Sequence, residues 1–156
     1  LRGGIWRTPP RPYEYRVSLR DGRLAVAEAG VELIFNSYER SAGRSGDDEG
    51  QHGIDQRSAY FDLDELHYPL TVRNRRPGDR IQLWNTQGSK KLKDLFIDLK
   101  IPPSKRDAIP LIVDAEDRVL WVCGIRRSRH APVQPGTRNI LQIKLVQNER
   151  NHRDID

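Results

Sequence analysis

The stretch LTVRNRRPGDR at 70–80, followed seven residues later by GSKKLKDLFIDLKIPPSKR at 88–106, decides how this chain folds. Leu70–Arg73 reads as a strand, Pro77-Gly78-Asp79 as a tight turn and residues 80–84 as a returning strand. Gly88-Ser89 opens a helix that runs to about Leu99, with Ser89 as its N-cap. Leu92, Leu95, Phe96 and Leu99 fall at i, i+3, i+4 and i+7, so one stripe of that helix needs a buried partner surface. Pro102-Pro103 ends it and starts a short second helix over residues 104–108. Two near-continuous apolar runs, 109–113 and 119–123, flank a polar turn at 114–118; strands of that composition are buried on both faces. Strands mixed with one main helix and a short second one make the fold α+β.

The same stretch gathers the charge. It holds ten Lys or Arg against three Asp, a local +7 on a chain of net charge +5, while residues 1–69 carry −3 and residues 107–156 carry +1. One basic band on a nearly neutral body attracts a polyanion, and RNA is the leading candidate. Lys90, Lys91 and Lys93 fall in or near the first turn of the main helix. The helix dipole there disfavours each cation by roughly 0.3–1 kcal/mol. A bound phosphate would account for the pattern, and so would a plain solvated face. In the RNRR segment, strand alternation puts Arg73 and Arg75 on one face and Asn74 and Arg76 on the other. Guanidinium forks suit phosphate oxygens and base edges. Asp79 reads as a turn residue that orients an arginine or bonds the turn backbone. Trp84 sits in a loop and is a candidate for base stacking, whereas Trp121 and Phe96 read as core. Arg126 follows a buried strand and is placed to emerge at a sheet edge beside the band.

The flanks are β-rich. A chain of 156 residues that is 36% apolar supports one domain. Residues 1–12 are Gly-, Pro- and Arg-rich and read as a linker from a preceding part. Tyr13, Tyr15, Val17 and Leu19 alternate as a half-buried strand, Asp21-Gly22 makes a hairpin turn, and strands follow at 24–27 and 31–35. Residues 36–58 have almost no apolar content and read as a long mobile hairpin loop, after which 59–63 returns to strand. The last strand spans 139–146 and residues 147–156 form a polar tail. The chain thus divides into a β-rich lead-in at 13–69 and a basic core at 70–146. Cys123, alone, is a small core residue, and the absence of a disulfide framework suits a cytoplasmic protein. No apolar run approaches the roughly 20 residues of a membrane helix. The chain holds no Met and starts at Leu1, so it is expected to be a piece of a longer protein. No phosphate-binding Gly-rich loop, metal-ligand spacing among the four histidines or Ser-His-Asp order stands out. Catalytic residues, cofactor and metal are therefore not expected within this chain.

Four ordered motifs carry a resemblance: RRPGDR (75–80), GSKKLKDLF (88–96), KIPPSKRDAIPL (100–111) and WVCGIR (121–126). Together they resemble the C-terminal domain of bacterial tRNA(Ile)-lysidine synthetase, over about half of the chain. Leu95 stands where the family has Phe, residues 82–87 lack the expected Pro-Leu-Gly character, and the 36–58 insert is longer than the family's hairpin. Residues 1–69 share only their strands and an FDxD-like entry at 61–64.

The resemblance implies β-sandwich-like sheets with a helical layer, as in a domain of the phenylalanyl-tRNA synthetase β subunit. It implies a parent ligase that uses ATP, with Mg, to activate the wobble cytidine of isoleucine tRNA for attack by lysine. The family's PP-loop, SGGxDS, lies in an N-terminal catalytic domain and has no counterpart in this sequence. The implied partners are that catalytic domain and isoleucine tRNA, gripped on its acceptor-stem side. The implied tRNA contacts are Arg73, Arg75, Arg76, Lys90, Lys91, Lys93 and Arg126. The alternative is a docking module for its own enzyme or a second subunit, with the basic surface incidental.

Overall fold

The computed structural model describes residues 11–40, 56–84 and 86–148. Among them the chain runs through β1 (Glu14–Val17), β2 (Gly22–Val26), β3 (Val31–Glu39), β4 (Ser58–Asp62), β5 (Leu70–Arg73), β6 (Arg80–Ile81) and β7 (Lys90–Lys91). Two short helices follow, α1 (Leu92–Asp98) and α2 (Pro103–Arg106), and then β8 (Leu111–Val113), β9 (Val119–Val122), β10 (Arg126–Arg127) and β11 (Asn139–Gln147). The strands form a five-stranded sheet in the order β1-β5-β8-β9-β10, a four-stranded sheet in the order β2-β3-β11-β4 and the ribbon β6-β7. Every pairing is antiparallel.

Alternation along the strands explains how the layers stack. Leu33, Phe35, Phe61, Leu141 and Ile143 of the four-stranded sheet share a core with Leu70, Val72, Ile112 and Trp121 of the five-stranded sheet. The opposite face of the five-stranded sheet is covered as well. Leu111, Val113, Val119 and Val122 meet Ile81 of the ribbon and the α1 stripe Leu92, Leu95 and Phe96. Ile112 thus faces one core and its two neighbours the other, which is why that run is apolar at every position. A bulge sets the register of β9: Ile112 pairs with Trp121 and Val113 with Val119. The extra residue Leu120 joins Trp121 in the inter-sheet core. The result is the expected α+β sandwich with a helical layer.

Several local expectations are corrected. Asp21-Gly22 does not join a hairpin: β1 pairs with β5 and β2 with β3, so the chain crosses from one sheet to the other there. The Asp21 carboxylate instead accepts the N–H (2.6 Å) and hydroxyl (2.7 Å) of Ser37, bonds that hold it below the usual carboxylate range. β1 stops at Val17, which leaves Leu19 exposed. Of the segment 36–58, residues 36–39 extend β3 and residue 58 begins β4, so the polar stretch is shorter than expected. It is not a hairpin loop either, because β11 lies between β3 and β4. Residues 41–55, most of the linker and the last eight residues of the tail lie outside the described residues.

α1 begins at Leu92, not at Ser89, and its N-cap is Lys91 without a side-chain cap bond. Ribbon pairing takes the residues that would have formed the first turn: Arg80 sits opposite Lys91 and Ile81 opposite Lys90. Pairing also ends after Ile81, so the strand expected to reach residue 84 is two residues long. At the other end, Lys100 N–H bonds to Ile97 O (3.0 Å) and Ile101 N–H to Phe96 O (2.9 Å), with Lys100 at φ 58°. This is a Schellman cap with lysine where glycine is usual. α2 starts on Pro103, as expected for proline at the first helical position.

Candidate nucleic-acid interface

The turn after β5 is built around a buried ion pair. Arg73 pairs across to Leu111, so it lies on the helix-covered face of the sheet. Its guanidinium is 3% exposed and forks onto Asp79, with Nη1 at 2.9 Å and Nη2 at 3.0 Å from the two carboxylate oxygens. Burial opposes the charge of Arg73, but the hydrogen bonds and negative charge of Asp79 more than offset it and hold the group above its usual range. Asp79 also accepts the Arg76 backbone N–H (2.6 Å) and donates its own N–H to Arg76 O (3.1 Å). Gly78 at φ +88° follows Pro77, the arrangement a type II turn requires. Asp79 therefore does both things foreseen for it.

Arg73, expected as a tRNA contact, is buried and spends its guanidinium on Asp79. The alternating-face expectation for 73–76 fails, because β5 ends at Arg73 and each following side chain finds its own partner. Asn74 is buried; its Oδ1 accepts the Tyr13 N–H (3.2 Å) and its Nδ2 donates to Asp107 O (3.0 Å). Arg75 donates from Nε to Asp107 Oδ1 (2.8 Å) and lies 5.5 Å over the Phe96 ring. Arg76 is exposed and pairs with Glu14 of β1.

Next to this turn, the junction of β7 and α1 is fixed by the Leu92 N–H, which donates to Asp79 O (3.0 Å). That bond brings the two clues of the sequence together. A cleft of about 360 Å³ opens between them, lined by Arg75, Arg76, Gly78, Lys91, Lys93 and the two carboxylates Asp79 and Asp107. Both carboxylates are engaged by arginines, whereas Lys91 and Lys93 are exposed and have no carboxylate partner among the described residues. A concave wall with surplus cations concentrates positive potential.

The remaining candidates lie elsewhere. Lys90 pairs with Asp98 and lines a neighbouring cleft rather than this one. Arg126 is half-buried on β10, at the sheet edge remote from β1, and does not line this cleft. Trp84 is half-buried, with the Arg127 guanidinium 5.9 Å from its ring. Trp121 and Phe96 are core, 2% and 0% exposed. Nothing local in the sequence distinguishes Asp107; only the fold brings it, at the end of α2, to Asn74 and Arg75.

Fold and cleft define a class: a two-sheet α+β domain with a helical layer and a basic cleft at the start of that layer. Residues 70–145 match the family model described as the TilS substrate C-terminal domain. A crystal structure of a TilS C-terminal domain superposes with a TM-score of 0.67 at 31% identity, over 86% of this chain and 98% of that one. The chain belongs to the TilS C-terminal domain family. It is 36% identical over 125 residues to the tRNA(Ile)-lysidine synthase of Bacillus subtilis (strain 168), covering 79% of this chain and 24% of that protein. It is 40% identical over 126 residues to that of Symbiobacterium thermophilum, covering 80% and 24%. With the bifunctional protein TilS/HprT of Listeria monocytogenes it shares 41% over 153 residues, covering 96% and 22%. The chain thus spans about a quarter of the length of these curated relatives. The likeness also reaches further into the N-terminal half than the four motifs do. An N-terminal fragment of the phenylalanyl-tRNA synthetase β subunit from Pyrococcus horikoshii shares the fold, with a TM-score of 0.56 at 14% identity, over 74% of this chain and 39% of that one.

Proposed function

We propose that this chain is the tRNA-gripping C-terminal domain of a cytoplasmic ligase that converts the wobble cytidine of isoleucine tRNA to lysidine. The observation that carries this reading is the cleft where the RRPGD turn meets the β7–α1 junction, because it turns two separate basic motifs into one concave surface. Lys91 and Lys93 would bind phosphates directly. Arg75 and Arg76, held by Asp107 and Glu14, would shape the wall, with Arg73 supporting them from inside. The partner would be the acceptor-stem side of the tRNA, read through its backbone and shape. ATP and Mg would act in a catalytic domain outside this chain; no residue here matches the family's PP-loop, and no chemical step is assigned to this domain.

The test is the affinity of the chain for an isoleucine acceptor-stem hairpin across a salt series, beside an unrelated hairpin. Log affinity should fall with log salt by roughly 0.9 per phosphate neutralised, and the isoleucine stem should be preferred. Equal affinity for both hairpins would leave an electrostatic grip with selection made elsewhere. Absence of binding at moderate salt would favour the docking module. That alternative needs an apolar patch, and among the described residues the large exposed hydrophobics are Leu19, between β1 and β2, and Ile97 of α1.

A further inference from the structure

Four cations of the basic band are neutralised from within: Arg73 by Asp79, Arg75 by Asp107, Arg76 by Glu14 and Lys90 by Asp98. Arg80 is held in a different way. Its Nε donates to Ser89 Oγ (2.6 Å) and its Nη2 to Ser89 O (3.0 Å), and no described carboxylate pairs with it. Two neutral acceptors on one residue orient the guanidinium without cancelling its charge. Of its five N–H donors two are used among the described residues, so three remain for a ligand. An exposed arginine fixed in this way has already lost part of the rotamer freedom that binding would otherwise remove.

Arg80 lines a second cleft, of about 340 Å³, with Thr86, Gln87, Ser89, Lys90 and Lys91. Asp94 of α1 faces the same space. Lys91 lines both clefts, so they flank the β6-β7 ribbon with one lysine shared between them. We propose that this second cleft is a further phosphodiester subsite. Arg80, preset by Ser89, takes one backbone phosphate of an RNA whose neighbouring phosphate occupies the first cleft, and Lys91 sits between the two. The guanidinium fork matches two phosphate oxygens at once, which an ammonium group does not. Asp94 opposes the anion and limits its affinity. This inference rests on the RNA-binding reading of the first cleft.

The test measures salt dependence of binding to the isoleucine acceptor-stem hairpin for the unaltered chain, Arg80→Gln, Lys93→Gln and the double variant. Each single change should lower the slope of log affinity against log salt by about 0.9, and the double by about twice that. Arg80→Lys should keep the slope and lose affinity severalfold, because lysine keeps the charge but not the fork. Asp94→Asn, at an exposed position, should tighten binding by roughly twofold or more through removal of a like charge. A slope that drops with Lys93→Gln but not with Arg80→Gln overturns the second subsite and leaves the RNA-binding reading standing. A flat salt response in the unaltered chain overturns both. Should Arg80→Gln fail to fold, unchanged affinity in Asp94→Asn overturns the subsite by itself.

Discussion

The arginines at the end of β5 and in the turn after it, and the lysines of β7 and the start of α1, are equally basic in sequence, and the fold uses Arg73 and Lys91 in opposite ways. Arg73 is enclosed, stripped of water and forked onto Asp79. Lys91 and Lys93 stay exposed and line a cleft. The contrast teaches that charge density locates an interface but does not say which charges act in it. A guanidinium can be buried because its planar fork satisfies a carboxylate on both sides. An ammonium on a flexible stem is strongly hydrated and remains at the surface.

The sharpest way to break this comparison is Asp79→Ala, which leaves buried Arg73 with only the exposed Asp117, 3.8 Å away, as a counter-charge. It should cost roughly 3–5 kcal/mol, read by urea denaturation, and a loss below one kcal/mol would show that the pair is not a structural element. Leu92→Ala removes a side chain at 1% exposure under the ribbon. A loss of roughly 2–5 kcal/mol is expected, and a melt within a degree of the parent would refute the helix-to-sheet core. On the exposed side, Lys91→Glu with Lys93→Glu should reduce RNA affinity severalfold or more while leaving the melting temperature in place; unchanged affinity would remove these lysines from the interface.

Two smaller effects sharpen the contrast. Lys100 holds a left-handed conformation that glycine adopts freely, so Lys100→Gly should stabilise by roughly 0.5–1 kcal/mol; a destabilised variant would show that the lysine stem contributes packing. His130, on the segment after β10, is shifted below its ordinary value near 6.5, first by burial and next by the charge of Arg118. The fold therefore disfavours its protonated form. Its contribution is fully present above pH 6.5 and falls as acid protonates the unfolded chain in preference to the folded one. His130→Asn should lose less stability than the parent between pH 7.5 and 5.5, and parallel losses would assign the acid sensitivity to other groups.

Much of the fold was legible because hydrophobic period is a local property. The i, i+3, i+4 stripe of Leu92, Leu95 and Phe96 announced a helix with a buried face, and the unbroken runs around Ile112 and Trp121 announced strands covered on both sides. The family was legible from four ordered motifs. Pairing partners were not, because they are set by residues far apart in sequence. Nothing near Asp21 says that β1 leaves to pair with β5, and nothing near residue 36 says that β11 separates β3 from β4. The helix start was misjudged for a related reason: Ser89 is a good N-cap in isolation, but pairing with Arg80-Ile81 extends the backbone through Lys91 and moves Ser89 into the grip of Arg80.

The sequence by itself determined the α+β class, the family and the position of the basic band, all of which depend on residue type and spacing along the chain. Only the tertiary structure decided the roles within the band. A carboxylate brought up from a distant turn or strand, as Asp107 is to Arg75 and Glu14 to Arg76, fixes a cation in place and offsets its charge. Where no such partner arrives among the described residues, as at Arg80, Lys91 and Lys93, the charge stays available to an outside anion.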